Sequence, residues 1–125
     1  MEIKVKGLLK ISLIVFYAFA GTYHFINPNF YLGLIPDYLP CPLMINYIAG
    51  VVEVVLAIGI VFKTTGRLAA FGLIAMLVAF IPSHVYFIQI GSCVPDALCV
   101  YPIIAWIRLL VIHPILIWWV WKVKG

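Results

Sequence analysis

Four long apolar runs, separated by three polar breaks, organise this sequence. The breaks are Asn27 to Pro42, Lys63 to Arg67 and Gln89 to Cys99, and the runs cover approximately 8–26, 43–62, 68–88 and 100–121. Each run is close to the roughly 20 residues that a helix needs to cross a ~30 Å hydrocarbon layer. The pattern predicts an all-α fold, an integral membrane four-helix bundle forming a single transmembrane domain over residues 1–125. Periodicity is sharpest in the second run. At 3.6 residues per turn, Asn46, Ala49, Gly50, Glu53, Ala57 and Ile60 fall on one small or polar stripe, while the remaining positions are mostly Val, Ile and Leu. Small residues let another helix approach closely, and large aliphatic ones suit lipid.

The breaks have their own grammar. Asn27-Pro28 argues against continuation of the first helix. The segment from Asn29 to Pro42 is too apolar for a water-filled linker and too Pro-broken to span. It reads as an interfacial or re-entrant segment capping the bundle, with Phe30, Tyr31 and Tyr38 at headgroup depth. Lys63-Thr64-Thr65-Gly66-Arg67 is a tight helix–helix turn. Small residues at Ala69, Ala70, Gly72, Ala75 and Ala79 spread around the third run, which implies protein on more than one side. Pro82 should bend its outer third and free a carbonyl near Val78 that needs another donor. Pro95-Asp96 is a turn signal, and Trp118, Trp119 and Trp121 with Lys122 make an interfacial belt.

Composition confirms the class: 66% hydrophobic and 10% charged residues, with mean hydropathy +1.21, lie outside the range of soluble domains. The first run is long enough to span and no small-residue cleavage site follows it, so no cleavable signal peptide is expected. Charge sets orientation. Lys4, Lys6, Lys10, Lys63, Arg67, Lys122 and Lys124, seven of the eight basic residues, fall at one face, whereas the opposite loops carry Asp37 and Asp96. Both termini are therefore expected in the cytoplasm. No basic patch is interleaved with stacking aromatics, so the chain lacks the signature of nucleic-acid binding and the bilayer is its expected surface partner. Cys41, Cys93 and Cys99 all fall in the outward loops, where disulfides persist. Either Cys93 and Cys99 close a short loop, leaving Cys41 free, or Cys41 ties the two loops together. A redox-active dithiol lacks the C-x-x-C spacing.

The candidate chemistry lies inside the spans. Glu53 comes about ten residues into the second run, or about 15 Å deep, and Arg108 lies roughly 10 Å below the outer edge of the fourth. An ionised group at the centre of a membrane helix costs about 2.5 to 3.5 kcal/mol on insertion scales, so both should face the bundle interior and have partners. The expected partnership is a Glu53–Arg108 ion pair, gripped by the guanidinium fork. His24 and His84 lie near the outer ends of the first and third spans. The four side chains read as the lining of a pocket for an amphiphile with a polar head, and a quinone suits it: imidazoles donate to carbonyl oxygens and Glu53 relays protons. Two alternatives use the same residues. The ion pair fixes helix register and nothing more, or His24 and His84 are axial ligands of a haem. His113, about 140° around the helix from Arg108, reads as a local hydrogen-bonder at the inner half. Glu2, Asp37 and Asp96 read as solvated charges, and no soluble-type nucleotide, protease or hydrolase motif is present.

Gly21-Thr22-Tyr23-His24-Phe25 with Pro28, Ile35-Pro36 to Leu39-Pro40, Gly50-Val51-Val52-Glu53 with Ala57 and Gly59, and Trp106-Ile107-Arg108-Leu109 before a Trp-rich end resemble the DoxX family of small four-helix membrane proteins. After the Arg-Leu of the last span such proteins often continue with Pro and then Gln; Leu110 and Ile112 stand here, so no role for that Gln transfers. The resemblance implies a small membrane subunit of a quinone-linked redox system or of a membrane-bound thiol and oxidative-stress complex, with a redox partner; a prokaryotic cytoplasmic membrane is the expected location, and a homo-oligomer is a further expected form. It also implies, through an animal branch, a scaffold or assembly chaperone for other membrane helices. It implies a fold more firmly than a reaction.

Overall fold

The structure is a computed structural model that describes residues 2–94 and 97–124, with side chains from residue 4. The Pro95-Asp96 turn and the Glu2 side chain lie outside that description. Helix α1 runs Glu2–Ile26, α2 is the short Pro28–Leu32, α3 runs Pro42–Val61, α4 Gly66–Ala79 and α5 Ile81–Gln89. Helix α6 (Pro102–Ile107), a π-helical turn (Arg108–Ile112) and α7 (His113–Val123) follow as one continuous rod. Four helical stretches are long and apolar enough to cross a membrane: Lys4–Ile26, Pro42–Val61, Gly66–Gln89 and Pro102–Val123.

The buried face of α3 is the predicted stripe, with Asn46, Gly50, Glu53, Ala57 and Ile60 inside. Opposite it, α1 buries Leu13, Tyr17, Gly21 and His24, one or two per turn of the same helical face. The two helices meet at Gly21 and Gly50. A Cβ at Gly50 would lie 2.8 Å from His24 Cβ and 2.9 Å from the Gly21 carbonyl oxygen, so only hydrogen fits at this crossing. Close approach there is what brings His24 against Glu53.

Toward the basic end, Leu13, Ala57, Ile60, Ala70, Leu73 and Val120 close a dry core. Trp119, expected in the interfacial belt, instead turns inward and donates from Nε1 to the Leu9 carbonyl at 3.0 Å. Trp118 and Trp121 keep the belt role, over half exposed and capped by Lys122 and Lys124 at 5.9 and 4.2 Å from their rings. At the other end, α2 and the loop after it fold over the bundle. Leu34, Phe87 and Ala105 form a second small core there, and Ser83 Oγ donates to the Leu34 carbonyl at 2.6 Å. Cys93 and Cys99 are disulfide-bonded, and Cys41 is a free, exposed thiol. On α4 the small residues do not all face protein: Ala69 and Ala70 are buried, Ala75 and Ala79 exposed.

Both proline interruptions reshape the bundle. Pro82 lacks an amide hydrogen, and the chain breaks at Phe80 between α4 and α5. Pro114 likewise cannot bond the carbonyl one turn back, and the turn before it widens so that the His113 amide bonds to the Arg108 carbonyl. Residues five apart then come nearly into register instead of diverging. For that reason Ile112 and Ile115 turn outward, at 48% and 53% exposure, while His113 and Val120 turn in.

Candidate functional site

Between the two cores lies a cavity of about 660 Å³. Its lining includes His24, Glu53, His84 and Arg108, the four side chains singled out from the sequence, together with Tyr17, Tyr31, Asn46 and His113. Apolar walls come from Leu34, Ile35, Leu77, Phe80 and Leu116, with Tyr38 and Leu39 at the exposed rim. A volume in this range and a mostly apolar wall with a few converging polar groups are the ordinary anatomy of a small-molecule site.

The polar arrangement differs from the expected one. Glu53 does not pair with Arg108; among the described residues its basic neighbour within 4 Å is His24, with Nε2 at 3.2 Å from Oε2. The reason is geometric. The Gly21–Gly50 crossing places α1 directly on the Glu53 face of α3, so the imidazole reaches the carboxyl before the guanidinium of the last span does. Both groups are nearly sealed, at 6% and 5% exposure.

Asn46 sets which ring nitrogen of His24 faces the carboxyl. Its Nδ2 donates to the His24 carbonyl at 2.9 Å, so its Oδ1 is the acceptor that faces His24 Nδ1 at 2.7 Å. Nδ1 therefore carries a hydrogen, and Nε2 is the nitrogen turned to Glu53. Nε2 and Glu53 Oε2 lie 3.2 Å apart. The approach is oblique, and Glu53 Oε2 has no aligned hydrogen-bond donor; the buried Tyr17 hydroxyl also lacks a partner. Leaving such atoms unmatched costs about 1 to 3 kcal/mol each, so the cavity floor favours a molecule that supplies the missing bond. His24 turns Nδ1 to Asn46 and Nε2 to the Glu53 carboxyl, which does not suit an axial haem ligand.

Three residues matter more than the sequence indicated. Tyr31, expected at headgroup depth, stacks on His24 with ring centroids 3.7 Å apart and planes 14° from parallel. Its hydroxyl is pushed up to about 12 by burial first, then by the Glu53 and Tyr23 oxygens, with Arg108 acting the other way. It is thus a protonated donor at any physiological pH. His113 is the expected local hydrogen-bonder, its Nε2 2.6 Å from the Leu77 carbonyl at the α4 break, one residue from the carbonyl expected to need a donor. It also meets His84 edge-to-face at 4.7 Å, inside the cavity. The 140° offset from Arg108 holds for an α-helix, and the π turn cancels most of it. Asn46 was visible only as a polar member of the stripe.

The family model described as a domain of unknown function, DUF8561, matches residues 13–124. No curated protein and no solved structure matches the chain.

Proposed function

The chain belongs to the DUF8561 family, whose function is unknown, and from that premise we propose that it binds a quinone or a similar lipid-soluble carbonyl compound between its spans. The observation that carries this reading is the buried His24–Glu53 pair, with Nε2 3.2 Å from Oε2, on the wall of a cavity of about 660 Å³. Quinone reduction consumes protons as well as electrons. A sealed carboxyl–imidazole unit is a place to hold one proton next to a carbonyl oxygen while a redox partner supplies electrons. Tyr31 and Tyr17 offer hydroxyl donors, and the aromatic and aliphatic walls take the ring and the start of a tail.

In this reading both termini are cytoplasmic and the cavity opens toward the outer leaflet, an orientation supported by the basic residues at the opposite end. The loop after α2 is then its interfacial lid. The protein serves as the membrane subunit of a redox system, in keeping with its resemblance to DoxX proteins. Mild-detergent purification followed by organic extraction and mass spectrometry tests the proposal. About one isoprenoid quinone per chain supports it. Extracts without any such molecule, with assembly of co-purifying membrane partners unchanged in Glu53→Gln, would move the assignment to a scaffold for other membrane helices.

A further inference from the structure

The charge of the bound head group follows from the charges around it, given the reading of the cavity as a ligand site. The Glu53 carboxyl meets its basic neighbour in His24, with Nε2 3.2 Å from Oε2, and makes no ion pair with Arg108. His113 commits its Nε2 to the Leu77 carbonyl and packs edge-on against His84 at 4.7 Å, too close for both rings to be charged without mutual repulsion. Arg108 is different. Its guanidinium stays protonated in proteins, it lines the cavity, and among the described residues no carboxylate lies within 4 Å of it. Asp37, the other described acid, is exposed in the loop. The cavity therefore carries one positive charge that the described chain does not answer.

We infer that the head group taken on Arg108 is an ionised oxygen acid attached to an apolar body, in the class of a carboxylate or a deprotonated hydroxyquinone. The fork of a guanidinium matches two neighbouring oxygens that share one negative charge. A cation partly withdrawn from water without a counter-ion is costly, whereas the same cation against an oxygen anion forms the stronger, charge-assisted type of hydrogen bond. Binding and neutralisation are then one event. Neutral quinones fit the walls but leave Arg108 unanswered, so the ionised form should be favoured.

Two probes with one tail test this on the full chain in detergent: a 2-hydroxy-3-alkyl-1,4-naphthoquinone, ionised at neutral pH, and its uncharged 2-methoxy analogue. Isothermal titration of the wild type should favour the hydroxy compound by at least about tenfold, which is about 1.4 kcal/mol. Arg108→Gln should abolish the preference, and Arg108→Lys should restore part of it. Equal wild-type affinities, or a preference that survives Arg108→Gln, would overturn the inference and leave the cavity as a neutral quinone site. If neither probe binds, the ligand site itself is refuted. The wild-type ratio stands as a test even if the Gln variant does not fold.

Discussion

Separating the two candidate partners of Glu53 is a question of coupling energy, and the structure assigns its size. His24 and Glu53 are 6% and 5% exposed with Nε2 and Oε2 3.2 Å apart, so removing one strands the other in a dry site. Truncating one member of a buried pair typically costs about 3 to 5 kcal/mol, and removing both costs less than the sum. His24→Leu should be the worse single change, because it also orphans the Asn46 Oδ1 now 2.7 Å from Nδ1, adding about 1 to 3 kcal/mol. Glu53→Leu leaves both His24–Asn46 hydrogen bonds in place. A double-mutant cycle on reversible unfolding in mixed micelles should therefore give a His24–Glu53 coupling of about 1 to 3 kcal/mol. The same cycle on Glu53 and Arg108 should give a smaller coupling, since no ion pair joins those groups. Strictly additive losses for the first pair, or a larger coupling for the second, would refute the arrangement described here.

Two further substitutions probe how the backbone positions the site. Gly50→Ala places a methyl group 2.8 Å from His24 Cβ, so α1 and α3 must separate; the expected loss is about 1 to 3 kcal/mol of stability, read by the same unfolding assay, with weakened ligand binding. Pro114→Ala returns the missing amide hydrogen and should convert the π turn to α-helix, carrying His113 away from the Leu77 carbonyl and from His84. Quinone affinity should fall by about tenfold, on the order of one lost hydrogen bond, while helix content by circular dichroism holds or rises; unchanged affinity would show that His113 has no part in the site.

Much of this architecture was legible because membranes simplify the code. The four spans followed from run length, and the buried face of α3 from the small and polar stripe Asn46, Gly50, Glu53 and Ala57. The same logic put His24, Glu53, His84 and Arg108 on the inside, where all four line one cavity. What failed was pairing. Which base reaches Glu53 depends on interhelical distance, set by the Gly21–Gly50 crossing, and single-helix periodicity carries no such information. His113 was misplaced for a local reason, since its angle was counted at 100° per residue across a turn that Pro114 widens. That Tyr31 stacks on His24 was not legible, because where the capping segment sets each ring is a tertiary choice that aromatic composition does not reveal.

The central claim is that the cavity between the two cores is a binding site for a lipid-soluble molecule. Ala20, on its wall and partly buried, is the place to fill it. The most direct measurement is the quinone-to-protein ratio of the purified chain compared with that of Ala20→Phe. The account predicts about one molecule per chain in the wild type and almost none in the variant, with both equally helical and monodisperse. A ratio that the added ring leaves unchanged would contradict it.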